Sequence, residues 1–203
     1  GNLLTTLDVS HNAALQELHC SQNSLTKLDV TKNTALQQLD CSSNSLITLD
    51  VSHNAALQQL CCTESSLTAL DVTKNTALKH LYCNVNSLTV LDVTKNTALL
   101  ELVCDKNSLT VLDVTNNTEL YFIYCHSNQI EGDNMEILVN SLFNRKNTTE
   151  GYFIVHDSTT PTNVITQTQV AKAKAKNWSV LDDNYDAYEG VEPPKMTLTT
   201  TKN

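Results

Sequence analysis

The sequence predicts an α/β solenoid in which each coil contributes one short parallel strand, closed at its C-terminal end by a small α/β cap. Three observations carry this. A 21-residue pattern restarts at Leu4, Leu25, Leu46, Leu67, Leu88 and Leu109 and runs to Gln129. Apolar residues recur at the same offsets in all of these units. After Gln129 the pattern stops, and two helix–strand pairs follow. Self-similarity at a fixed period of roughly 20–50 residues is the signature of a stacked array. The expected divisions are six coils over 1–129, a cap over 130–191 and a tail or linker over 192–203.

Each coil has two halves of the same form. One reads LxxLDVxxN, as in Leu25, Leu28, Val30 and Asn33, and the other LxxLxCxxN, as in Leu36, Leu39, Cys41 and Asn44. Alternation at Leu-x-Cys and Leu-x-Val suits short extended segments with every second side chain inward. A lone coil buries too little to fold, so neighbours must stack. The chain opens at Gly1-Asn2-Leu3-Leu4, partway through a coil. The first coil is therefore expected to be truncated at its edge, with Gly1 a cloning remnant.

The motifs LxxLxCxxN and LDV[ST]xNxAL, from Leu4 to Gln129, resemble the 21-residue leucine-rich repeats of bacterial surface proteins. The similarity is to the cysteine-ladder internalins and the secreted or surface leucine-rich-repeat proteins of Bacteroidetes. Residues 128–182 are similar to the C-terminal closure of the latter group. The resemblance implies a leucine-rich-repeat solenoid in an extracytoplasmic protein used for adhesion or recognition. It carries over no catalytic residues.

With 203 residues and 40% hydrophobic content the chain suits one folded domain. Its net charge of −9 argues against nucleic acid and anionic membrane surfaces, which need basic patches. The Lys172, Lys174 and Lys176 cluster reads as a solvated helix face. No run approaches a membrane span of roughly 18 apolar residues, and the first residues lack the character of a signal peptide.

Columns through the coils separate scaffold from surface. Cys20, Cys41, Cys62, Cys83, Cys104 and Cys125 occupy a packing position, so they are expected to be free and buried rather than disulfide-bonded or zinc-bound. Cys61 stands in the neighbouring outward column and is expected to be the one accessible thiol. Asn12, Asn33, Asn54, Asn75, Asn96 and Asn117 form one Asn ladder, and Asn23, Asn44, Asn86, Asn107 and Asn128 a second, interrupted by Ser65. Buried amides must be satisfied, and turn backbone groups are the natural partners. Asp8, Asp29, Asp50, Asp71, Asp92 and Asp113 form an outward acidic column, held by Ser/Thr hydroxyls and backbone amides or, alternatively, by calcium.

The columns that vary flank the Leu-x-Cys strand. They are bland in the first three coils and turn aromatic and charged in the last three. His80, Tyr82, Asn84, Glu101, Val103, Asp105, Phe122, Tyr124 and His126 are the candidate ligand-binding set on a concave face, with Tyr121 beside them. Sealing the cap is the competing role for Phe122 and Tyr124. In the cap, a helix over 133–143 with Asp133 as N-cap, a strand over 151–155, a helix over 166–177 and a strand over 178–181 are expected.

No H-E-x-x-H, G-x-S-x-G or P-loop is present. The expectation is a monomeric, non-enzymatic module without cofactor that binds a protein or glycan. A passive spacer for another domain is the alternative.

Overall fold

The structure, a computed structural model, describes residues 2–160 and 162–192. The expected tail, beyond Glu192, lies outside the described residues. Eight strands form one parallel sheet in chain order. Strands β1 (Glu17–His19), β2 (Gln38–Asp40), β3 (Gln59–Cys61), β4 (His80–Tyr82), β5 (Glu101–Val103) and β6 (Phe122–Tyr124) come one from each coil. Two more, β7 (Gly151–His156) and β8 (Trp178–Asp182), belong to the cap, as do helices α1 (Gly132–Ser141) and α2 (Gln167–Ala175). Leu18, Leu39, Leu60, Leu81, Leu102 and Ile123 stand in register across β1 to β6.

The inward set is the expected one. In the second coil Leu25, Leu28, Val30, Leu36, Leu39 and Cys41 are all buried, and later coils repeat this. All seven cysteines are free. Burial pushes the ladder thiols up, Cys20 to about 11 and Cys83 to about 12, so they remain inert small hydrophobes.

The two Asn ladders are wired differently. Asn75 Nδ2 donates to the Val51 and Asn54 carbonyls of the preceding coil, at 3.0 and 2.9 Å. Asn33, Asn54, Asn96 and Asn117 repeat this, whereas Asn12 is exposed. In the second ladder the side chain works both ways. Asn44 Oδ1 accepts from the Leu25 amide, while Nδ2 donates to the Cys20 and Cys41 carbonyls. Ser65 substitutes a hydroxyl that donates to the Cys41 carbonyl, and this coil alone turns through a second left-handed residue, Ser66 at φ 63°. Replacing Asn75 by Ala is expected to destabilise by about 1–3 kcal/mol, because two buried carbonyls lose their donor. Lys74→Ala, at an exposed neighbour, is expected to stay within about 0.5 kcal/mol. Equal melting temperatures for the two variants would refute the ladder's role.

The Asp column is compensated locally. Each Asp accepts the amide of the residue two further on, as in Thr73 N to Asp71 Oδ1 at 2.8 Å, and the Thr hydroxyl adds a second bond. These bonds lower the Asp71 and Asp92 carboxyls below the usual range.

The cap continues the sheet. β7 lies beside β6 with Phe122 opposite Tyr152, and β8 lies beside β7. Trp178 packs its ring on Gly151, where even a methyl group would meet it at 2.6 Å, and its Nε1 donates to the Phe143 carbonyl. Buried Arg145 pairs with no carboxylate among the described residues and instead donates to the Leu120 and Thr149 carbonyls. Three expectations for the cap need correction. Glu131, not Asp133, is the N-cap of α1, and it makes no side-chain cap bond. The α2 helix is shorter than expected, and Thr166 with Gln169 forms its capping box. The lysines of α2 are not merely solvated. Lys172 and Lys174 pair with Glu136 and Glu189, and Lys176 Nζ donates to the Val139, Asn140 and Leu142 carbonyls at the end of α1.

Candidate ligand-binding face

Because β2 to β6 are each three residues long with the central residue buried, their first and third residues look out from the sheet. Register then aligns His80, Glu101, Phe122 and Tyr152 in one row and Tyr82, Val103 and Tyr124 in the next. All seven are at least partly exposed.

Glu101 is the hub of this face. Its two carboxylate oxygens accept the Tyr82 and Tyr121 hydroxyls, each at 2.5 Å, and His80 Nδ1 lies 3.3 Å away. Burial alone would raise its carboxyl, but the bonds from Tyr121, Tyr82 and His80 outweigh this and hold it below the usual range. Burial and the Glu101 carboxylate together push the Tyr82 hydroxyl up, so it keeps its proton. The rings are ordered against one another. Phe122 and Tyr124 are nearly coplanar in orientation, 3° apart, with centroids 6.2 Å apart. Tyr185, from the turn after β8, stacks beside Tyr124 at 6.0 Å, and the Tyr124 hydroxyl points at the Asp183 carbonyl. Tyr124 thus meets the cap, the role expected for it as a seal, and remains part of the open face.

Two candidate residues are not on this face. Asp105 and His126 are each only 3% exposed. They sit under the sheet's end with Ser127 and Asp157, where His126 Nε2 is 3.7 Å from Asp105 Oδ2 and its Nδ1 is 2.7 Å from Ser127 Oγ. Ser127 in turn donates to Asp157 at 2.5 Å. Burial raises the Asp105 carboxyl to about 6 and lowers the His126 imidazole. Asn84 is half-buried and accepts a bond from Thr63. The sequence reasoning left Tyr152 and Tyr185 out of the set, although both are exposed beside it, at 41% and 58%.

Cys61 is half-buried rather than openly accessible, standing between Asp40 and Tyr82 with Gln59 Nε2 at 3.5 Å from its sulfur. Burial raises its thiol. It is expected to be the only cysteine alkylated in the native protein, more slowly than a small free thiol. Mass spectrometry of iodoacetamide-treated protein checks this, and modification of several ladder cysteines would contradict it. Among the described residues, no three His, Cys, Asp or Glu side chains converge in a metal-binding arrangement.

No protein-family model and no curated protein matches the chain. Solved structures do. The functional domain of InlJ from Listeria monocytogenes, described as including a cysteine ladder, is 36% identical with a TM-score of 0.62. The match covers 86% of this chain and 40% of that one. An internalin, InlF, of the same species is 17% identical with a TM-score of 0.71, over 88% of this chain and 51% of its own. A leucine-rich-repeat protein of Leptospira interrogans is 19% identical with a TM-score of 0.70, over 89% and 46%. The chain thus spans about half or less of each of these. With the 21-residue register and the buried Cys and Asn columns, these likenesses show that the chain folds as a leucine-rich-repeat solenoid with a cysteine ladder, similar to that of InlJ.

Proposed function

We propose that the protein is a non-enzymatic recognition or adhesion module, secreted or on the cell surface, that binds a partner on the outward sheet face of coils four to six and the cap. One observation carries this. The packing columns of the coils are nearly invariant, yet the outward rows change from Glu17, Gln38 and Gln59 to His80, Glu101 and Phe122, and from His19, Asp40 and Cys61 to Tyr82, Val103 and Tyr124. Scaffold requirements are equal along the array, so they do not explain the change. Large rings at low entropic cost are what recognition surfaces use. Resemblance to cysteine-ladder surface proteins supports the location. Among the described residues no helix is long and apolar enough to cross a membrane. The bland face of the first three coils favours a spacer role for that half alone.

The test is a screen of the purified protein against extracellular-matrix proteins and glycans, followed by Tyr82→Ala and, in the same row, Asp40→Ala. Loss of affinity confined to Tyr82→Ala supports the site. Loss confined to Asp40→Ala, or to Lys95→Ala away from these rows, removes it.

A further inference from the structure

We propose that this face is a receptor for cationic side chains, above all arginine, presented by a protein or peptide segment. The proposal rests on the preceding reading of the face as the recognition surface and adds the chemistry of what it receives.

Three features of the face converge on a donor-only cation. The first is its hydrogen-bonding sense. The hydroxyl protons of Tyr82 and Tyr121 are both committed to Glu101, and that of Tyr124 is directed at the Asp183 carbonyl. What these tyrosines still offer is acceptor lone pairs, next to a carboxylate. A guanidinium carries five N–H donors and no acceptor, so it matches such a surface, whereas a sugar hydroxyl brings acceptors that also need donors.

The second feature is charge. The turn that brings Tyr185 to Tyr124 is the segment Asp182-Asp183-Asn184-Tyr185-Asp186, which contains no Lys or Arg. Asp182 accepts the Asn184 and Asp186 amides and Asp183 accepts the Ser158 amide, while Asp186 stands exposed. Glu101 adds its charge two strands from the cap. Of the four lysines of these coils, Lys74, Lys79, Lys95 and Lys106, the two nearest the strands, Lys79 and Lys106, are exposed and stand outside them, just before β4 and three residues after β5.

The third feature is ring geometry. Tyr124 and Tyr185 lie 28° apart in orientation with centroids 6.0 Å apart, and Phe122 lies nearly parallel to Tyr124 at 6.2 Å. A group of neighbouring, nearly parallel rings is a platform on which a planar guanidinium stacks within about 6 Å of a centroid. Tyr82, two strands away, stands roughly 10 Å from Tyr124 at the usual strand spacing. The face therefore holds two ring-and-acid positions, one at Tyr82 with Glu101 and one where Tyr124 and Tyr185 meet the acidic turn at Asp183.

The experiment titrates the full chain with an acetylated, amidated (Gly-Arg)4-Gly peptide, with the same peptide carrying citrulline for arginine, and with maltohexaose as a neutral glycan. Citrulline keeps the planar shape but removes the charge and puts a carbonyl acceptor in place of one nitrogen's donors. The arginine peptide is expected to bind saturably, about tenfold more tightly than the citrulline peptide, and to weaken as salt rises. Tyr185→Leu, at an exposed position that does not threaten folding, and Glu101→Gln are each expected to cost severalfold. A double variant of the separate Asp column, Asp71→Asn with Asp92→Asn, is expected to bind unchanged. No saturable binding of the arginine peptide, equal affinity for the citrulline peptide, or binding of maltohexaose alone overturns the cationic ligand while leaving the surface itself standing. Binding that survives the Tyr185 and Glu101 variants but is lost in the Asp-column variant overturns the surface.

Discussion

Ending the chain after Gln129 is expected to leave a fragment that aggregates or fails to melt cooperatively. The cut removes everything that covers the sixth coil. In the intact protein Leu120, Ile123 and Cys125 are at most 1% exposed, and Ile130, Phe153 and Val155, which the cut removes, lie fully buried in the same core. Uncovering three or four such side chains forfeits roughly 1.5–3 kcal/mol each, comparable to the whole stability of a small domain. Polar losses add to this. The Leu120 carbonyl loses Arg145, the Cys125 carbonyl loses Asn163, and β6 loses its entire β7 partner. An open, apolar-backed strand edge is a template for pairing with another chain. Size-exclusion chromatography with light scattering and thermal circular dichroism decide the matter. A monodisperse fragment with a sharp transition would show that the coils stand without the cap.

The repeat array was legible because its structural demands recur. Every Leu, Cys and Asn column repeats at the same interval, and β1 to β6 pair in that register. The cap obeys the same demands at intervals that sequence periodicity does not reveal. From Phe122 to Tyr152 the step is 30, and from Tyr152 to Ser179 it is 27. Asn163 continues the second Asn ladder all the same. Its Oδ1 accepts from the Ile130 amide and its Nδ2 donates to the Cys125 and Val155 carbonyls, the wiring of Asn44 one coil end further on. Val155 stands next to Cys125 as the ladder cysteines stand next to one another. The cap is thus a seventh coil with a helix inserted on each side, and its ladder residue is found only by its contacts.

The candidate site was legible up to the length of the strand. Alternation correctly faced Tyr82, Glu101, Phe122 and Tyr124 outward, since they lie within three-residue strands. It misplaced Asp105 and His126, which follow the strands, where the backbone leaves the extended conformation and the two-residue period lapses. Ser127, the residue after His126, is left-handed at φ 50°. Tyr185 escaped notice for another reason, because it reaches the face by folding back from beyond β8 rather than by repetition.

Asp105→Asn is expected to stabilise the protein at neutral and alkaline pH, against the usual effect of changing a buried polar residue. The hydrogen bonds around His126 show why. Ser127 gives its proton to Asp157, so it accepts from His126 Nδ1, and this fixes the proton of the neutral imidazole on Nδ1. Nε2 is then an acceptor facing Asp105 Oδ2 at 3.7 Å, while Asp105 Oδ1 is buried with no partner. Ionised Asp105 thus meets an acceptor in a desolvated place, and burial raises its carboxyl from 3.8 to about 6. A group whose pKa is higher in the folded state contributes stability that is complete below the unfolded value and is lost as pH rises through the folded one. The gap between 3.8 and about 6, net of the opposing Lys106 charge, corresponds to roughly 3 kcal/mol at 1.36 kcal/mol per pH unit, an upper figure because solvent relaxation offsets part of it. Asparagine removes the charge, offers an N–H toward Nε2, and already fills this column at position 84. The gain should be full at pH 8, shrink as pH falls through 6 and vanish near pH 4. His126, lowered by burial, acts oppositely. Its contribution is present above 6.5 and is lost as pH falls, so the variant should become more acid-sensitive than the parent once Asp105 no longer opposes it. Urea unfolding of both proteins from pH 4 to pH 8 checks the curve. A variant less stable at pH 8, or a difference that does not change with pH, would mean that Asp105 is a satisfied member of the cluster rather than a strained one.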